Sequence, residues 1–343
     1  MPNPPPVTIK DIAKAAGVSF STVSLALRQP LRVRAATREK IEEAVTQLGY
    51  ERNPMAAALA SRAQQPSQLS RASMIAYVTG LPGEVAKHGN DPFSATLRKE
   101  CDRMGYGFEL VDLEEIPNRA SLGRNLRARG CVGVVFGQIK KSSVVAEVDW
   151  RPFSMVRCNN DTAHLDVHRV ESDVFEAAWK ATGEVISRGY QKAGLSLFRH
   201  ARGFDDDVRR AGAFQMALKE KQGTHAKAGP VFSHDGKWNR DKFMRWFEKH
   251  PVDALVCFGV QEYYWLQDAG IRVPEDVAIV ALTSAGENAT PVTGFHEDFE
   301  RITLTAFRMC EQFIRMRELG FVDRPQALNV PCLWHEGVTL PAK

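Results

Sequence analysis

Three groups of residues in this chain could do chemistry. His164, Asp166 and His168 fall in a His-x-Asp-x-His spacing, and histidines four apart can share a metal ion when they lie on one helix face. Leu165, Val167 and Arg169 alternate with them as in a strand or loop. No Glu stands beside the first His as in His-Glu-x-x-His, so no metal site is expected. Asp205, Asp206 and Asp207 bring enough charge for a cation but read as a solvated loop. The six cysteines, Cys101, Cys131, Cys158, Cys257, Cys310 and Cys332, are scattered without a Cys-x-x-Cys pair, which reads as buried reduced thiols rather than a zinc site or a disulfide framework. Neither a G-x-x-x-x-G-K-[ST] phosphate loop nor a G-x-S-x-G nucleophile elbow occurs, and no catalytic acid and base can be paired. The chain reads as a binding protein and not an enzyme, with no cofactor.

What remains is a charge asymmetry. Residues 1–65 hold nine Lys/Arg against five Asp/Glu, so the whole formal charge of +4 sits in the first fifth of the chain and the remainder balances to zero. A small basic module on a neutral body suits a polyanion, while four charges are also within what a solvated face carries. With 343 residues, 44% of them hydrophobic and 25% charged, the chain can fold as two or three globular units, and no apolar run is long enough to span a bilayer. Met1 to Pro6 is proline-rich rather than basic-then-apolar, so a frayed tail and a cytoplasmic protein are expected rather than a secretory signal.

Capping and periodicity give the elements that carry the basic residues. Thr8 caps a first helix with Asp11 in the capping-box position, and Ile9, Ile12, Ala13 and Ala16 follow helical spacing to Gly17. Ser19 caps a second helix to about Leu27, with Val23 and Leu27 turned toward the first. A third begins after Thr37, puts Ile41, Ala44, Val45 and Leu48 on one face, and ends at Gly49. Short helices joined by a tight glycine turn predict a helix-turn-helix. The second helix offers its N-terminus to phosphate, with Arg28, Arg32, Arg34 and Arg38 flanking it. A generic three-helix bundle is the alternative this pattern leaves open.

The run Thr8-Ile-Lys-Asp-Ile-Ala-Lys-Ala-Ala-Gly-Val-Ser19 resembles the opening of the lac repressor/galactose repressor family. Thr22-Val23-Ser24, Ala26-Leu27, Arg32-Val33, Thr37-Arg38 with Ile41, Leu48-Gly49-Tyr50 and Asn53-Pro54 continue the likeness without a gap. The resemblance implies DNA binding by a headpiece at 7–52, with the second helix in the major groove. It assigns DNA contacts to Thr8, Ser19, Phe20, Ser21, Thr22, Ser24, Leu25, Arg28, Arg34, Asn53, Ala57 and Leu59. The reading positions Phe20, Ser21 and Leu25 are unusually apolar. Phe20 and Leu25 suit thymine methyl groups, so an operator with T/A steps is expected there. Arg28 stands where the family has Asn, and is a candidate phosphate contact.

Pro54 to Ser61 is alanine-rich but too short to be a stable helix alone. The resemblance implies a hinge helix at 53–62, ordered on DNA, whose Leu59 wedges the central base step of a pseudo-palindromic operator. A linker helix with Leu59 packed on the body is the plainer reading. Ala57 replaces an Arg frequent in the family. Residues 63–73 read as a polar linker.

Beyond residue 73, apolar runs alternate with helical patterns. Strands are predicted at Met74–Val78, Phe108–Val111, Val132–Phe136, Phe153–Val156, Leu195–Phe198, Ala254–Phe258 and Val277–Leu282. Helices are predicted over 93–104, 121–129, 174–188, 208–221, 237–250, 261–269 and 300–319. Repeated βα units imply parallel sheets flanked by helices, two of them for this many units, with ligands at the carboxyl ends of the strands. Gly270-Ile-Arg-Val-Pro-Glu-Asp-Val277, Val170-x-x-Asp173 and Arg210-x-x-x-Phe214 extend the family resemblance. They imply a two-lobed, periplasmic-binding-protein-like α/β domain at 74–340, with lobe 1 about 74–168 and 293–320 and lobe 2 about 169–292 and 321–340. No heptad tail follows, so a homodimer is expected rather than a tetramer.

The resemblance points to effector contacts at Phe93, Asn159, Arg202, Arg210, Tyr263, Trp265 and Thr283. This is also where the chain departs from the family. Thr283 and Ser284 end a strand where a sugar-binding Asp is common, and Phe204 stands where a pocket Arg is common, with Arg202 nearby. Glu262, Tyr263, Tyr264 and Trp265 suit a sugar or nucleoside-like ligand, or else core and dimer surface. The expectation is a repressor whose operator affinity responds to a small molecule, possessing no membrane segment. The alternative is an effector-independent DNA-binding regulator with a degenerate pocket, and an enzyme or solute-binding protein on the same fold ranks below both.

Overall fold

The computed structural model describes residues 9–28, 33–48, 73–80, 92–139, 145–158, 165–199, 206–223, 227–283 and 291–343. The chain divides into two compact units, Met1–Ser67 and Gln68–Lys343.

The first unit carries α1 (Ile9–Ala16), α2 (Phe20–Arg28) and α3 (Ala35–Leu48). Gly17, at φ +66°, takes the left-handed conformation that turns the chain out of α1. Ser19 then caps α2 through its hydroxyl oxygen, which accepts from Thr22 N–H at 3.1 Å. Helix α3 starts at Ala35, three residues ahead of the sequence expectation, because the Arg34 carbonyl accepts from both Thr37 and Arg38 N–H at 3.0 Å. Ile12, Ala13, Val23, Ala26, Ile41 and Ala44 close a small core between the three helices.

The second unit holds two six-stranded sheets. Its strands are β1 (Met74–Gly80), β2 (Gly107–Asp112), β3 (Cys131–Ile139), β4 (Ser154–Cys158), β5 (His168–Ser172), β6 (Ala193–Arg199), β7 (Val231–Asp235), β8 (Ala254–Cys257), β9 (Ala278–Ala281), β10 (Gly294–His296), β11 (Ala327–Val330) and β12 (Leu333–His335). The helices are α4 (Pro92–Met104), α5 (Leu122–Ala128), α6 (Val174–Ser187), α7 (Asp206–Gln222), α8 (Arg240–Lys249), α9 (Gln261–Asp268) and α10 (Phe299–Met316). Sheet 1 runs β11-β5-β4-β3-β1-β2 and is parallel. Sheet 2 runs β12-β10-β9-β8-β6-β7, and β12 alone is antiparallel to its neighbour. Each sheet buries apolar side chains on both faces, as parallel sheets must.

The lobe boundaries expected from the resemblance need correction. β5 and β11 belong to sheet 1, and β10 belongs to sheet 2. The chain crosses between lobes at 172–174, 296–299 and 330–333, each time leaving the carboxyl end of a strand that a neighbouring strand holds in register. The first two crossings enter capped helices. Asp173 accepts from Glu176 N–H at 2.9 Å, and Asp298 accepts from Arg301 N–H at 2.8 Å. Asp173 N–H also donates to Val330 O at 2.8 Å, which ties the first crossing to the third. Helix α8 starts at Arg240 rather than 237, because Asn239 caps it by accepting from Lys242 N–H at 2.9 Å. Among the described residues, no helix is long and apolar enough to cross a membrane.

Candidate DNA-reading helix and effector cleft

In the headpiece, α2 has two contrasting faces. Val23 is fully buried and Ala26 nearly so, whereas Phe20 is 47% and Leu25 37% exposed. The two apolar residues singled out for base reading therefore stand away from the core, on the helix whose N-terminus Ser19 caps. Thr22 is half-buried, and its hydroxyl lies 2.7 Å from that of Ser19. Ser21, Ser24 and Arg28 lie on the same helix. Arg34 is exposed at the start of α3. Arg38 Nε lies 3.8 Å from Glu42 on the next turn, so its charge is partly answered within α3. Thr8, Asn53, Ala57 and Leu59 lie outside the described residues.

In the body, the two lobes meet at the carboxyl end of β5. Glu171 near the end of β5 in lobe 1 meets Arg209 in the first turn of α7 in lobe 2, at 2.9 Å. On the lobe 2 side, aromatic rings gather at the carboxyl ends of β6, β7 and β8. Phe198 lies in register with His234, and its ring centroid is 4.9 Å from Trp238 and 6.0 Å from Phe258. Trp238 is 39% exposed and gives the cluster an accessible flat face. Arg210 is buried, stands 5.0 Å over the Phe258 ring and reaches Asp207 at 3.4 Å. Thr283 Oγ1 donates to Phe258 O at 2.6 Å, fixing the loop after β8.

A buried polar network supports this platform. Ser196 Oγ donates to Glu262 Oε1 at 2.6 Å, and His234 Nε2 lies 3.3 Å from the same oxygen. His234 Nδ1 accepts from Asn239 N–H at 3.3 Å, so the ring proton sits on Nε2 and points at Glu262. Glu262 and His234 are buried, yet Glu262 Oε2 has no hydrogen-bond partner. An acid held this way fixes β6, β7 and the turn that carries Trp238 relative to one another.

The expected effector residues divide. Arg210 and Thr283 both contact Phe258 of the platform. Trp265 backs it, 6.0 Å from Trp238, but is itself nearly buried. Phe93 and Tyr263 are core residues: Phe93 packs edge-on against Phe299 at 5.1 Å beneath sheet 1, and Tyr263 joins the core under α9. The sequence points to both as effector contacts, with core or dimer surface as the alternative for Tyr263, and each sits on the inward face of its helix. Asn159 and Arg202 lie outside the described residues. Sequence reasoning missed Phe198, Phe258 and Trp238. The first two end predicted strands, where the carboxyl-end rule applies, whereas Trp238 fell inside a predicted helix.

Other candidate chemistry is occupied. His168 is buried, with Nε2 3.0 Å from Glu318 and Nδ1 accepting from Gln326 N–H at 3.1 Å. Burial pushes the Cys101, Cys131 and Cys332 thiols up to about 12, where little reactive thiolate forms.

The profile of the bacterial regulatory proteins of the lacI family matches residues 8–53, and that of a periplasmic binding protein-like domain matches residues 182–334. The HTH-type transcriptional repressor PurR of Aliivibrio salmonicida is 24% identical over 337 residues, covering 90% of this chain and 92% of its own. Solved structures share the fold. The transcriptional regulator CelR in complex with cellobiose aligns with a TM-score of 0.58 at 21% identity, covering 97% of this chain and 99% of its own. The lac repressor dimer bound to operator and the anti-inducer ONPF aligns with a TM-score of 0.59 at 19% identity, covering 98% and 100%.

Proposed function

This chain belongs to the lacI family of bacterial regulatory proteins, and on that premise we propose that it is a homodimeric transcription repressor that binds a pseudo-palindromic operator and releases or grips it in response to a small molecule. The observation that carries the reading is α2, a capped helix packed through Val23 that leaves Phe20 and Leu25 exposed. Large apolar side chains held out of a small core beside a helix N-terminus suit a groove with thymine methyl groups and flanking phosphates. Phe20, Ser21 and Leu25 read bases, while Thr8, Ser19, Thr22, Ser24, Arg28, Arg34 and Asn53 position the backbone. Leu59, with Ala57 beside it, wedges the central step.

The effector binds between the lobes on the platform of Trp238, Phe198 and Phe258, with Arg210 and Thr283 at its edge. An exposed indole face bounded by few polar groups suits a sugar or a related small molecule. Binding there changes the angle between lobes and shifts operator affinity, a coupling of roughly 1–3 kcal/mol in typical cases. The protein acts in the cytoplasm as a regulator, without catalysis.

The test is a DNA titration by fluorescence anisotropy with the wild type, Phe20→Ala and Leu25→Ala. Each variant is expected to lose roughly 1–3 kcal/mol of discrimination against a mismatched site, with the salt dependence unchanged. Equal affinity of all three proteins for matched and random DNA would remove α2 as the reading helix.

A further inference from the structure

Glu171 is the least expected charged residue in the body. It sits on β5 inside a parallel sheet, with its side chain 2% exposed, and three guanidinium groups share its carboxylate. Two of them belong to its own lobe. Arg157 on β4 and Arg169 on β5 are register partners, so two like charges stand directly opposite each other on adjacent strands. Glu171 Oε2 answers both, at 3.4 Å from Arg157 and 3.3 Å from Arg169. The third comes from the other lobe. Arg209, in the first turn of α7, donates to Oε1 at 2.9 Å. Burial holds the Arg157 guanidinium below the ordinary arginine range, which marks how dry the cluster is.

The two oxygens thus have different tasks. Oε2 is held by two guanidinium groups of lobe 1, whatever lobe 2 does. Oε1 takes its partner, Arg209, from lobe 2. Arg209 is also the most exposed member, with 37% of its side chain accessible and Asp206 at 4.0 Å as a second acid within its own helix. It can leave Glu171 without being stranded, and Glu171 can lose it without losing its charge partners. A pair built this way can break and re-form at low cost.

We propose that the Glu171–Arg209 pair is an interlobe latch that holds the two lobes at the angle seen here. The inference rests on the reading that lobe movement carries the regulatory signal. A reorientation that draws α7 away from the end of β5 breaks this pair before it disturbs either sheet.

Hydrogen–deuterium exchange on the full-length protein tests the latch without DNA or effector. In Arg209→Gln, amides of the first turn of α7 (206–210) and of β5 (168–172) are expected to exchange several-fold faster than in the wild type. The remaining strands of both sheets should be unchanged, and Arg209→Lys should restore part of the protection. Glu171→Gln, which also unsettles Arg157 and Arg169, should loosen the same two stretches and lower the melting temperature. Operator affinity of Arg209→Gln should shift by about fivefold or more from the wild type. Unchanged exchange in both stretches in Arg209→Gln would overturn the latch. A wild type that binds no DNA would defeat the proposed function instead, leaving the exchange comparison decisive for the latch.

Discussion

Replacing Ile41 by Ala tests whether the headpiece folds on a core of its own. Ile41 is 1% exposed and packs with Ile12, Ala13, Val23, Ala26 and Ala44. At about 0.8 kcal/mol for each buried carbon group, losing the three outer carbons forfeits about 2.4 kcal/mol. The cavity left behind raises the cost to roughly 2–5 kcal/mol. A unit this small rarely supplies more than about 3–5 kcal/mol from a single core, so the variant headpiece should be largely unfolded without DNA. Folding it on the operator then consumes binding energy, and about 2.7 kcal/mol corresponds to a hundredfold weaker Kd. Calorimetry and operator titration on the full-length variant make the check. The unfolding transition of residues 68–343 should stay where it is in the wild type, because the four body clusters share no residue with this core. Wild-type operator affinity in Ile41→Ala, or a fall in the body's own transition, would refute the reasoning.

Two further outcomes follow from the body. Trp238→Ala removes the 39% exposed face of the platform, so effector should no longer shift operator affinity while operator binding without effector persists. Titration with and without candidate sugars reads this directly. Asp253 is buried enough to be pushed up, but Lys343 and the N–H groups of Gln191 and Lys192 outweigh this and hold its carboxyl below the ordinary range. Its stabilisation is therefore full above the ordinary Asp value and is lost as pH falls through the lowered one. Asp253→Ala should cost about 2 kcal/mol at neutral pH, with the melting-temperature gap to the wild type closing in acid.

Much of this was legible because local signals and tertiary packing agree. The Ser19 cap, the glycine turn at Gly17 and the apolar spacing of Ile12, Val23 and Ile41 all concern residues close in sequence, and the headpiece needs little else. The apolar runs at β1, β3, β6, β8 and β9 read as buried strands because both faces of each sheet are covered. Of the strands that escaped notice, β5 and β10 lie inside the sheets but are short, and β7, β11 and β12 lie at sheet edges. Val231, Leu328 and Leu333 are 41%, 38% and 45% exposed there, so their burial pattern carries little signal. β11 also pairs with β5, far away in sequence, which is why the lobe boundaries were misplaced. Glu171 and Glu262 were illegible as buried acids. An isolated Glu in an alternating or helical run reads as solvent-facing, and only strand register and interlobe packing bring Arg157, Arg169 and Arg209 to one and Ser196 and His234 to the other.

Selection of DNA from a random pool by the purified full-length protein, followed by titration of the winning site with wild type and Leu59→Ala, tests the central claim most directly. The account predicts enrichment of a palindromic site with T/A steps under Phe20 and Leu25 and a flexible central step, bound far more weakly by Leu59→Ala. Failure to enrich any sequence, alone and again with cellular metabolites present, would contradict it.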